Sequence, residues 1–193
     1  MLKAISTAPL GTILVVILVL LAVLRDWRWQ VLLWALQSVP IAMVLRLYLP
    51  FPWAMAQVFV AGMIALIFFV ASVGRGKGNP APTHWLWRLG FLALVALVVW
   101  WGAGSVPAPW RGNLYIFLLI SVSIVDILVG DDRLSSGIGL LLAWEAALIA
   151  VALLLPPQGE MVGLYIMELL FGLSIGYLVL VEYGARSEEA EDA

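Results

Sequence analysis

The chain has 193 residues, of which 64% are hydrophobic and only 11% are Asp, Glu, Lys or Arg, well under the roughly 25% charged residues of soluble domains. A mean hydropathy of +1.09 leaves too little polar material for a solvated surface. With a net charge of −2, no cysteine and one histidine, His84, the sequence has no basic run for nucleic acid, no disulfide or thiolate chemistry and no imidazole metal site.

Seven apolar segments follow in chain order, at roughly 8–24, 29–48, 53–73, 86–104, 112–129, 135–155 and 161–182. Each is bounded by charges, Gly or Pro, and each is long enough to cross about 30 Å of hydrocarbon as a helix, the fifth with a modest extension. The expected fold is all-α, a polytopic membrane bundle of about seven helices, because backbone groups left unpaired cannot face lipid. Continuous apolar runs exclude the alternation of a β-barrel. Lys3 precedes the first run, but Arg25-Asp26-Trp27-Arg28 follows it in place of a small-residue cleavage site, so it reads as a retained span.

The Gly- and Pro-rich stretch 74–85 is the one seam. It divides residues 1–73, three N-terminal helices, from a fourth helix with its connection (86–111), a three-helix unit (112–183) and an acidic tail (184–193). With seven spans the termini lie on opposite sides. Arg25, Arg28, Arg75, Lys77, Arg88, Arg133 and Arg186 fall on one side and Lys3, Arg46 and Arg111 on the other. That bias favours an outside N-terminus and a cytoplasmic C-terminus in the cell membrane. Trp27, Trp29, Trp53, Trp85, Trp87, Trp100, Trp101 and Trp110 lie near span ends, where indoles anchor at the lipid–water boundary, while Trp34 and Trp144 lie inside spans and read as packing residues.

Three carboxylates enter the apolar segments: Asp126, Glu145 and Glu168. A carboxylate at the bilayer centre costs about 2.5–3.5 kcal/mol on insertion scales, so it faces a protein interior or a hydrated cavity and is a candidate for holding and releasing a proton. Glu145 lies eleven residues before Pro156 and Glu168 eight after Glu160. At about 1.5 Å per residue this puts them ~16 and ~12 Å from one shared loop. The two are therefore a mid-membrane pair on one hairpin, with their mutual facing left open. Asp126 lies near the cytoplasmic end of its span, beside Asp131 and Asp132. The bland alternative for each acid is a local structural bond, and spans five to seven contain no Lys or Arg to neutralise them. A partner is then a proton, a water or another subunit.

Gly172-x-x-x-Gly176 and Gly137-x-Gly139 allow close helix approach, either within the chain or against another membrane subunit. Gln37, Ser38 and Pro40 put polar atoms and a backbone break into the second span, whereas Gln57, nearer a span end, reads as interfacial. Gly74-Arg75-Gly76-Lys77-Gly78 has no flanking strand and is not a phosphate loop.

The stretch from Ser136-Gly137-Ile138-Gly139 through Trp144-Glu145-Ala146-Ala147 to Met167-Glu168-Leu169-Leu170-Phe171 resembles the E component of hydrogenase-4-type complexes. That component ends in a unit similar to the K subunit of respiratory complex I. Arg28-Trp29-Gln30 and Leu36-Gln37-Ser38-Val39 are similar to the family's second span. The family's lysine in the third span has no counterpart in Ala61-Gly62-Met63-Ile64-Ala65. The resemblance implies an accessory membrane subunit without a cofactor of its own, held among other membrane subunits of an ion-translocating complex. Glu145 and Glu168 would lie on its proton- or cation-conducting axis, with the redox chemistry on other subunits. Asp126, from its position near the cytoplasmic end, is a further candidate proton-transfer residue, as an entry point. The competing readings are a self-contained small ion transporter and a scaffold whose acids serve only packing.

Overall fold

The computed structural model describes residues 2–24, 26–73, 84–103, 114–129, 132–154 and 160–191, with side chains for 12–24, 26–73, 86–98, 101, 115–129, 132–154 and 161–184. The 74–83 seam, the Pro156 loop, Asp131 and the side chains of Trp85, Trp100 and Trp110 lie outside the described residues.

Every apolar segment forms a helix: α1 Leu2–Val23, α2 Trp27–Leu45, α3 Phe51–Ser72, α4 His84–Ala103, α5 Leu114–Val129, α6 Arg133–Leu154 and α7 Glu160–Glu191. No strand occurs among the described residues. Polar residues just outside the apolar runs set the starts. Asp26 caps α2 by accepting from the Arg28 N–H at 3.0 Å, and Asp132 accepts from the Ser135 N–H at 2.8 Å at the head of α6, each satisfying a donor with no partner inside its helix. Pro50 and Pro52 open α3, where a missing N–H costs nothing. Pro40 sits inside α2 without ending it. The acidic tail does not break away: α7 runs on through Glu191, because Ala, Arg and Glu favour helix as much as the apolar residues before them.

Among the described residues, four helical stretches are long and apolar enough to cross a membrane: Trp27–Leu45, Phe51–Ser72, Arg133–Leu154 and Met161–Gly184. Thr12–Val23, Leu86–Val98 and Tyr115–Val129 are shorter apolar stretches. Polarity is turned inside out. Gln30, Gln37, Gln57, Arg88, Asp126, Glu145 and Glu168 are all buried, while Phe59, Leu66, Leu97 and Tyr177 face outward. That is the arrangement expected of a bundle surrounded by lipid.

Two helical hairpins, α2–α3 and α6–α7, lie side by side, and α1, α4 and α5 pack alongside. α2 runs parallel to α6, since Gln30 meets Ser135 near both starts, and α3 runs parallel to α7, since Trp53 meets Tyr165 near both starts. The bundle therefore has a near end, where α2, α4 and α6 begin, and a far end, where α3 and α7 begin. Glycines allow the close contacts. A Cβ at Gly172 would fall 2.5 Å from Ile64, one at Gly176 2.6 Å from Ile67, and one at Gly137 on the side chain of Ile175. The Gly172–Gly176 pair thus packs within the chain, against α3.

Candidate functional site

Glu145 on α6 and Glu168 on α7 are both fully buried. Their partners come from the other hairpin. Gln37 on α2 donates from Nε2 to Glu145 Oε2 at 2.7 Å, and Gln57 on α3 donates from Nε2 to Glu168 Oε1 at 3.0 Å. The two carboxyls also interact electrostatically with each other, and Gln57 is a polar neighbour of Glu145 as well. The two amide–carboxyl pairs lie close enough at the seam between the hairpins for their carboxyls to interact.

Periodicity explains the convergence. On α2, Gln30, Trp34, Gln37 and Ile41 recur at helical spacing along one buried stripe. On α6, Ser135, Ile138, Leu142 and Glu145 do the same. Parallel packing then sets two cross-links at two levels. Gln30 and Ser135 exchange hydrogen bonds at 3.1 and 3.2 Å, and Gln37 meets Glu145 two turns further in. Gln57 corrects the interfacial expectation. It lies in the second turn of α3 but faces inward, fully buried, because it shares a stripe with Trp53, Ala61, Ile64 and Phe68.

Each carboxyl has one oxygen bonded and one left over. No donor among the described residues reaches Glu145 Oε1, Glu168 Oε2, Gln37 Oε1 or Gln57 Oε1. Four acceptors without donors are an unusual concentration in a buried site. A proton on a carboxyl turns an acceptor oxygen into a donor, so protonation of either carboxyl would give the unpartnered oxygens a donor. The cluster's oxygens also include two neutral amide acceptors that stay in place when a proton leaves. No group of three or more Asp, Glu, His or Cys side chains able to hold a metal occurs among the described residues.

Asp126 lies elsewhere. It is buried on α5 with Arg88 of α4 as its charged neighbour, and its Cβ lies against Gly139. Arg88 donates to the Ala22 carbonyl at 3.3 Å and to the Val129 carbonyl at 2.8 Å, so it closes the ends of α1 and α5, where helix dipoles favour a cation. Counting Arg88 only as a sidedness charge missed this role. The helix starts at His84, which puts Arg88 a full turn inside. Among the tryptophans, Trp29, Trp87 and Trp101 are exposed as anchors would be, but Trp27 is buried against Phe69 and Trp53 stacks on Tyr165. Trp34 and Trp144 pack inside as expected, against Phe68 and Phe171.

The chain matches no protein-family model, no curated protein and no solved structure.

Proposed function

We propose that this chain is a membrane subunit of an ion-translocating assembly, and that Glu145 and Glu168 carry protons through it. The observation that supports the reading best is the buried four-residue cluster. It joins two carboxyls to two amides across separate hairpins, leaving one oxygen of each carboxyl without a donor among the described residues. Buried carboxyls in a lipid-facing bundle are costly, and a purely structural role needs only one polar link rather than a coupled pair.

In this reading all seven helices cross the bilayer, with the near end cytoplasmic, because the connections there carry most of the Lys and Arg. The cluster then lies near mid-membrane. Gln37 and Gln57 orient the carboxyls, and the proton moves between Glu145 Oε1 and Glu168 Oε2. The resemblance to the E component of hydrogenase-4-type complexes fits this role and names the kind of partner: other membrane subunits, which would hold the redox centres and supply the driving force. Asp126, paired with Arg88 near the cytoplasmic end, would set the local field at that side.

The test is a tagged chain purified from its own membranes in mild detergent, with its co-purifying proteins, as wild type and as Glu145→Gln. The expected result is an intact assembly with reduced proton pumping. Unchanged pumping in the assembled variant refutes the role. Loss of assembly with normal pumping per assembled complex favours a scaffold, and ion movement by the chain alone in liposomes favours a self-contained transporter.

A further inference from the structure

The carboxyl cluster is bracketed by two aromatic pairs. One turn from Gln37 towards the near end, Trp34 packs on Phe68, with ring centroids 5.9 Å apart. Both are fully buried, and the Trp34 indole N–H has no acceptor among the described residues. On α6 the same interval, between Ser135 and Glu145, is filled by Ile138 and Leu142, both almost wholly buried. A dry layer therefore separates the Gln30–Ser135 pair from the Gln37–Glu145 pair. The indole N–H within it is unused, which fits a residue kept for bulk rather than for bonding.

At the far end the arrangement differs. Trp53 stands one turn from Gln57 on α3, and Tyr165 one turn from Glu168 on α7. Their rings stack at 6.5 Å and an interplanar angle of 16°. The Tyr165 hydroxyl donates to the Trp53 carbonyl at 2.8 Å. This second cover is held by a hydrogen bond across the α3–α7 seam, and it lies directly over the Gln57–Glu168 pair.

We propose that these two aromatic pairs are the seals of an occluded compartment: Trp34–Phe68 excludes water arriving from the near end, and Trp53–Tyr165 excludes water arriving from the far end. The near seal is apolar throughout and is the fixed barrier. The far seal depends on one hydrogen bond and is the one built to release. Transfer through the cluster then requires one seal at a time to part, because opening both would let protons run freely through the bundle. The Gln30–Ser135 pair, next to the Asp132 cap, is the polar station just outside the near seal. The proposal deepens the proton-carrier reading and rests on it for its purpose, but its test measures access alone.

The chain has no cysteine, so a single introduced thiol reports cleanly. Ala61 is fully buried on α3, one turn from Gln57 towards the middle of the bundle, and Ala61→Cys puts a small thiol at the level of the compartment. The probe is a membrane-impermeant methanethiosulfonate reagent carrying a trimethylammonium group, added to one face of sealed vesicles containing the full-length chain in its native membranes. The thiol is expected to be unreactive in an otherwise unchanged chain. Trp34→Ala or Phe68→Leu should raise its labelling rate by about tenfold or more from the near side only, as the open fraction rises. Trp53→Ala or Tyr165→Phe should do so from the far side only. Two substitutions per seal guard against one that fails to fold, and helix content by circular dichroism identifies such a case. Fast labelling in the unaltered background, or the same rate in all four sealed-face variants, overturns the proposal, as does reversed sidedness. Sealed behaviour combined with normal pumping in Glu145→Gln would instead remove the proton-carrier reading and leave the seals in place.

Discussion

Replacing Gly172 by Ala tests whether close contact between α3 and α7 holds the site together. The added Cβ would meet three carbons of one side chain, Ile64 Cγ1, Cγ2 and Cδ1, at 2.5, 2.7 and 2.9 Å. All three are below real Cβ contacts, and Ile64, β-branched and fully buried, strongly prefers one χ1 rotamer in a helix, so turning away is costly. The helices must separate, which overpacking data put at about 1–3 kcal/mol. Gly163, on the same helix, provides the control. Nothing lies within 4 Å of a Cβ there, so Gly163→Ala should stabilise by roughly 0.5–1 kcal/mol through its gain in helix propensity. Two identical chemical changes nine residues apart on α7 should therefore move stability in opposite directions. Reversible unfolding in mixed micelles of lipid detergent and dodecyl sulfate, followed by tryptophan fluorescence, measures both. Ile64→Ala in the Gly172→Ala background should recover part of the loss, with a coupling of about 1–3 kcal/mol, as expected of residues in contact. Equal effects at the two glycines, or strictly additive behaviour with Ile64→Ala, would refute the packing. Gly172 is one turn from Glu168, so the same separation should weaken the Gln57–Glu168 bond.

Arg88→Met removes the group that closes two helix ends and faces Asp126. It should cost about 3–5 kcal/mol, the range for a buried charge left without its partner, and Asp126→Asn should lower that cost in the double variant; thermal unfolding of purified protein checks both. Gln57→Leu takes the donor from Glu168 and Gln37→Leu takes it from Glu145. Each should destabilise by about 1–3 kcal/mol, and double-variant cycles with Glu168→Leu and Glu145→Leu should show coupling of about 0.6 kcal/mol or more. Zero coupling would mean the amides do not bond the carboxyls. Ser135→Ala loses only a neutral bond to Gln30 and should cost about 0.6 kcal/mol in the same unfolding assay.

Helix existence was legible because each span is an apolar run, and most ends shift by three residues or fewer. The exceptions are α1, which starts at Leu2, and α7, whose charged tail looks like a terminus but keeps helical propensity through Glu191. The carboxyls were legible as a pair because hairpin geometry fixes their depth. Their partners were not, because facing depends on the relative rotation of helices far apart in the chain: Gln37 and Glu145 are 108 residues apart, and Gln57 and Glu168 are 111 apart. A usable signal existed in the polar interruptions: Gln30, Gln37 and Gln57 break the apolar runs of the α2–α3 hairpin, and Glu145 and Glu168 break those of the α6–α7 hairpin. Trp27 was misassigned for the same reason as Gln57. Position along a helix tells depth, and only packing tells which way a side chain turns.

Proton translocation by the purified assembly, reconstituted in liposomes with Glu145→Gln and Glu168→Gln introduced singly and rates normalised to assembled complex, tests the central claim most directly. Each variant is expected to lose about a hundredfold or more in rate, the scale of removing a positioned proton donor or acceptor, with assembly unchanged. Wild-type rates in both variants would contradict it, and the buried carboxyls would then be structural.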